Sequence, residues 1–85
     1  MFLHVTQVQV VHDYCLNISF DNGDSGVISL KHRLQGKMFE PLLNLELFAT
    51  AYIHPELQTV VWANGADLAP EYLLDILKQQ SKQAA

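Results

Sequence analysis

Cys15-Leu16-Asn17-Ile18-Ser19-Phe20-Asp21-Asn22-Gly23-Asp24-Ser25-Gly26-Val27-Ile28-Ser29-Leu30 is the stretch on which the fold turns. Leu16, Ile18 and Phe20 alternate with Asn17 and Ser19, the period-2 pattern of a strand with one buried face. Asp21-Asn22-Gly23-Asp24 is turn chemistry, and Val27 to Leu30 reads as the returning strand. Two registers are open. A two-residue Asn22-Gly23 loop sets Phe20 opposite Ser25 and leaves Ile28 and Leu30 facing solvent. A three-residue Asp21-Asn22-Gly23 loop, with Gly23 left-handed as a bulge, sets Leu16 opposite Ile28 and Tyr14 opposite Leu30. The second is expected, because each misplaced aliphatic forfeits roughly 1.5–3 kcal/mol of burial.

Working outward, Leu3, Val5, Val8 and Val10 with Gln7 and Gln9 between them predict a first strand over 3–11, which His12-Asp13 ends. Between 31 and 47 the alternation dissolves. Leu34, Phe39, Leu42, Leu43 and Leu45 read as a crossing segment that plugs one end of the sheet, with a short helical turn near Glu40 to Leu43. A second hairpin is expected from 50–54 and 59–62 around Pro55, with Tyr52 and Trp62 as its large residues. Pro70 suits a first helical turn and Glu71 its positive end. Leu73, Ile76, Leu77 and Gln80 then form one stripe, widened by Leu74. Strands followed by a helix define an α+β fold, a small antiparallel β-meander of about five strands with the C-terminal helix packed on one face. Residues 1–80 read as one domain and 81–85 as a flexible tail.

Composition narrows the function. In 85 residues, 49% hydrophobic and 16% charged, there is material for one core and no sign of disorder. The net charge of −4 and the scattered Lys and Arg offer no track for a phosphate backbone, so nucleic acid is not the expected partner. The start lacks a basic n-region and a long apolar run, so no membrane segment is expected and the protein is placed in the cytoplasm. Cys15 is the one cysteine, which excludes an internal disulfide and a paired-cysteine zinc site. Its expected role is a small apolar side chain in a strand.

Catalytic and metal groupings are not legible. His4, His12, His32 and His54 share no ligand spacing, so no metal and no cofactor is expected. No nucleophile elbow or phosphate loop is present, so the chain is read as a non-enzyme. Asp21, Asn22, Gly23 and Asp24 look like the start of a calcium loop, but the distal Glu is missing and a hairpin turn accounts for them. The densest local pattern is Trp62-Ala63-Asn64-Gly65-Ala66-Asp67-Leu68-Ala69-Pro70. It reads as a strand end with an aromatic anchor, a turn at Gly65, and an acid at a helix entrance. The competing reading makes Trp62, Asn64 and Asp67, with Tyr52, a partner-binding surface, while Gly23 and Gly65 serve as structural turns.

That run, together with Asp13-Tyr14-x-Leu16, Phe20, the Gly23 turn, Phe39-Glu40-Pro41-Leu42 and Phe48, resembles a family of small bacterial domains catalogued as domain of unknown function 2442. The family pattern has a proline where Ala63 stands, which loosens the turn. The resemblance implies a compact α+β domain. It also implies a gene layout like that of a toxin and antitoxin pair, and some members carry a helix-turn-helix domain for which this chain has no room. The expected function is accordingly a non-enzymatic protein-binding module, the antitoxin-like member of a two-gene pair, whose partner is another small protein or a second copy. The alternative is a ligand-sensing or regulatory domain without its DNA-binding part, its pocket lined by Tyr52, Trp62 and Tyr72.

Overall fold

The structure is a computed structural model and describes residues 2–83. Its elements in chain order are β1 (Val5–His12), β2 (Cys15–Phe20), β3 (Ser25–Ser29), a 3-10 turn (Glu40–Leu43), α1 (Leu45–Phe48), β4 (Tyr52–Ile53), β5 (Val60–Val61) and α2 (Pro70–Gln83). The α+β class, the antiparallel pairing and the terminal helix follow the sequence reading. The strands do not make one sheet: β1-β2-β3 form a meander of three, and β4-β5 a separate pair. The long crossing segment carries the chain to the far side of β1. There β4 lies beside that strand, and the Val5 amide donates to the Gln58 carbonyl at 2.9 Å.

The central hairpin takes the register that buries most. Leu16 faces Ile28, and the Leu30 amide donates to the Tyr14 carbonyl at 2.7 Å. Gly23 has φ +93°, which an L side chain adopts only with strain, so the three-residue loop needs a glycine there. Leu16, Ile18, Ile28 and Leu30 are fully buried and Phe20 is nearly so. The first strand is shifted from the expected 3–11 to Val5–His12, and a two-residue turn at Asp13-Tyr14 follows it. Tyr14 holds φ +58°, a conformation costing an L residue roughly 1–2 kcal/mol. Two tertiary contacts hold it there. Its hydroxyl donates to the Leu43 carbonyl at 2.6 Å, and its ring meets Phe48 edge-on at 5.6 Å.

The helical turn at Glu40–Leu43 forms as expected and buries Leu42. A second short helix, α1, was not expected. Asn44 starts it by accepting the Glu46 amide at 3.0 Å, and it delivers Phe48 fully buried into the core. A capping asparagine just before Leu45 was the signal available in the sequence. The second hairpin is shorter than the expected 50–54 and 59–62: beyond the Tyr52–Val61 pair the Ala63 amide goes to the Thr50 hydroxyl at 3.0 Å and not to a strand carbonyl. Thr50 donates to Leu47 and Thr59 to Leu68, each at 2.6 Å.

The α2 stripe is as read: Leu73, Ile76 and Leu77 are buried, and Leu74 is partly so. The helix continues to Gln83, because nothing in Ser81-Lys82-Gln83 breaks it. Those three residues are therefore helical where the tail 81–85 was expected, and 84–85 lie outside the described residues. Asp67 makes no side-chain hydrogen bond to the helix start among the described residues; its backbone is bridged to Val61.

Two details seat α2 on the sheet. A Cβ added at Gly26 would lie 2.8 Å from Leu77 Cδ1, so glycine lets the helix approach β3. The Gln80 side chain then treats Ser29 as a strand would, accepting its amide at 2.8 Å and donating to its carbonyl at 2.9 Å. Arg33 clamps the outer side of the helix. It donates to Gln79 at 2.9 Å and lies 5.9 Å from the centre of the Tyr72 ring.

Two stability measurements by urea denaturation test this seating. Gly26→Ala is expected to cost roughly 1–3 kcal/mol, and combining it with Leu77→Ala should cost less than the sum of the two, since the shorter side chain removes the clash. Gln80→Leu is expected to cost about 1–3 kcal/mol by leaving the Ser29 groups without partners, and to speed hydrogen exchange at the Ser29 amide.

Candidate interaction groove

On the outer face of the three-stranded sheet, Gln7 stands opposite Ser19 and Gln9 opposite Asn17. Alternation puts these four on the side away from Leu16 and Ile18. β4 rises along their edge, and together they enclose an open groove of about 650 Å³ lined by Gln7, Val8, Gln9, Asn17, Ser19, Ala51, Tyr52 and Ile53. The Tyr52 side chain is exposed and forms part of the wall. No carboxylate, ammonium or guanidinium group is among the lining residues. The floor instead carries amides and a hydroxyl, groups that both donate and accept hydrogen bonds.

The four residues proposed from sequence as a partner surface have separate fates. Trp62 is 1% exposed, so it is no surface contact. Its ring packs against Phe48 at 5.8 Å, and its Nε1–H donates to the Phe48 carbonyl at 3.0 Å, which satisfies the indole in the interior. Asn64 is half-buried and turned inward: its amide donates to the Met38 carbonyl at 3.0 Å, and its Oδ1 accepts the Ala66 amide at 3.1 Å. Gly65 has φ +88° and donates to the Trp62 carbonyl at 2.9 Å, the turn role expected of it. Tyr52 and Asp67 are both exposed, and only Tyr52 lines the groove. Both flank Val61, Tyr52 as its strand partner and Asp67 through the bridge, which separates their backbones by about 10 Å at ordinary strand spacing.

The pocket expected from Tyr52, Trp62 and Tyr72 does not form. Trp62 lies in a filled core, Tyr52 in the groove wall, and Tyr72 under Arg33. Gln7, Gln9, Asn17 and Ser19 were missed as site residues. Their signal was the lack of any Lys, Arg, Asp or Glu at the outward positions of two neighbouring strands.

The histidines are dispersed. His54 Nδ1 accepts the Glu56 and Leu57 amides at 3.1 and 3.2 Å, closing the turn between β4 and β5. His4 and Asp21 clip the chain start to the central hairpin. The His4 amide donates to Asp21 Oδ1 at 3.1 Å, the Asp21 amide donates to the His4 carbonyl at 3.0 Å, and His4 Nδ1 meets Asp21 Oδ2 at 3.0 Å. The His4 backbone amide, and after it the imidazole, hold the Asp21 carboxyl below its ordinary value of 3.8. Asp21 thus spends its carboxylate on His4, while the Asn22 and Asp24 side chains bond within the turn itself. Among the described residues no group of three His, Cys, Asp or Glu side chains could hold a metal ion, and no helix is long and apolar enough to cross a membrane.

The chain belongs to the family described as protein of unknown function (DUF2442), whose pattern matches residues 5–79. No curated protein and no solved structure matches it.

The clip makes a pH prediction. A carboxyl whose folded pKa is lowered contributes stability that is present above its unfolded value and is lost as pH falls through the folded one. Stability from the clip should therefore fade in acid, below the ordinary aspartate pKa of 3.8. Denaturation midpoints measured from neutral to acid pH should fall less steeply on the acid side for Asp21→Asn than for the parent chain.

Proposed function

We propose that this chain is a non-enzymatic protein-binding module acting in the cytoplasm, the antitoxin-like member of a two-gene pair, and that another small protein docks in the groove beside Tyr52. The observation that carries the reading is an open groove with an exposed tyrosine and no charged group in its lining. Tyrosine supplies large contact area at low entropic cost, and the centres of protein interfaces are depleted of charge. A neutral floor selects a neutral segment, since a charge buried there would find no counter-charge. Among the described residues the charged side chains lie outside the groove lining.

A second reading, a ligand-sensing domain, draws on the groove's volume of about 650 Å³, which lies within the span of small-molecule sites. Its site would be this groove and not the space beneath α2.

Recovery of the tagged chain from its native host tests the first reading. The parent chain should bring one small protein in stoichiometric amount. Tyr52→Ala and Gln9→Lys should each weaken that complex roughly tenfold or more, the effect of losing about 1.4 kcal/mol or more at an interface anchor. A complex indifferent to both substitutions would move the site elsewhere, and recovery of the chain alone would remove the reading.

A further inference from the structure

The chain makes the same loop twice. In Phe20-Asp21-Asn22-Gly23-Asp24 and in Trp62-Ala63-Asn64-Gly65-Ala66 the first residue's amide donates to the last residue's carbonyl, at 2.8 and 2.9 Å. In each the glycine amide donates back to the first carbonyl, at 3.2 and 2.9 Å, with the glycine at φ +93° and +88°. In each the asparagine Oδ1 accepts the amide two residues on, at 2.9 and 3.1 Å. Two Asn-Gly steps therefore share one backbone geometry and differ only in what surrounds them.

Asn-Gly is the step at which an asparagine side chain is most open to attack by the following amide nitrogen, because glycine has no side chain to shield it. The attack needs a freed glycine N–H and a mobile asparagine carboxamide. At residue 64 the carboxamide is restrained from outside the loop, whereas the glycine N–H is held within it at both sites. The carboxamide nitrogen is tied to the Met38 carbonyl at 3.0 Å, and the loop starts on buried Trp62, itself bonded to Phe48. At residue 22 the side chain is exposed, and among the described residues its nitrogen is held only by Asp24 in the same loop at 3.1 Å. A hairpin tip opens locally without disturbing the core, whereas freeing Asn64 requires moving residues that belong to it.

We propose that Asn22 is a site of spontaneous, water-dependent modification and that the fold shields Asn64 from the same reaction. The Gly23 nitrogen forms a bond to Asn22 Cγ and loses its proton. The Cγ–Nδ2 bond breaks, and Nδ2 leaves as ammonia, giving a cyclic imide. Water then opens either imide carbonyl, which yields aspartate or isoaspartate at position 22. Both products place a new carboxylate between Asp21 and Asp24 and lose the donor that bonded Asp24. Isoaspartate also adds a backbone carbon to a loop whose residue count sets the β2-β3 register.

The full chain is incubated at mildly alkaline pH, digested, and mapped by mass spectrometry with isoaspartate separated from aspartate. Conversion at Asn22 is expected to be at least about tenfold faster than at Asn64, a difference that needs only ~1.4 kcal/mol in opening free energy. In denaturant the two sites should react at similar rates. Trp62→Phe, which keeps a ring in the core but deletes the indole donor, should speed Asn64 and leave Asn22 unchanged. Equal rates in the folded chain, or faster reaction at Asn64, would overturn the proposal. So would a gap of the same size in denaturant, since it would then come from local sequence and not from the fold.

Discussion

Three rings in contact hold the two halves of this molecule together. Tyr14 in the turn between β1 and β2 meets Phe48 of α1, and Phe48 meets Trp62 after β5, with the indole nitrogen bonded to the Phe48 carbonyl. The three-stranded and two-stranded sheets share no continuous ladder, so this chain of aromatics and the aliphatics around it join them. A domain of this size has one core, and each large side chain in it serves more than one element. That explains why Tyr14 is held in a backbone conformation it would otherwise avoid: its ring and hydroxyl are worth more to the core than the local strain costs.

The sheet's exposed parts are managed by different means. At β3 the helix supplies both a closely packed leucine over Gly26 and an amide that pairs with Ser29, so part of that edge is closed by a side chain. At β1 the neighbouring hairpin stands alongside without completing a ladder, and the space between them is the groove. The groove is thus a consequence of how the crossing segment returns the chain. Its uncharged floor is the outward face of strands whose inward face is the core.

Much of the fold was readable in order. The alternation of Leu16, Ile18 and Phe20 and the burial argument at Gly23 gave the central hairpin and its register, and the Leu73, Ile76, Leu77 stripe gave the helix and its inward side. The split into two sheets was not readable, because strand identity follows from local periodicity while strand partnership depends on where a long connection lands. Of the residues in the competing partner-surface reading, Tyr52 and Asp67 are exposed, but Trp62 is a core anchor and not a surface contact. Size and chemistry alone fit an interface anchor and a core anchor equally well, and only the Phe48 carbonyl decides between them.

By itself the sequence determined the class of fold, the hairpin register, the inward face of the helix and the positions where turns need glycine. These rest on short-range rules of periodicity and backbone sterics that each segment carries with it. The tertiary structure alone decided that Gln80 covers the edge of β3 at Ser29, that Trp62 faces inward, and that Gln7, Gln9, Asn17 and Ser19 meet Tyr52 in one groove. Each of those is a contact between residues far apart in the chain, fixed by packing around a shared core and written in no single segment.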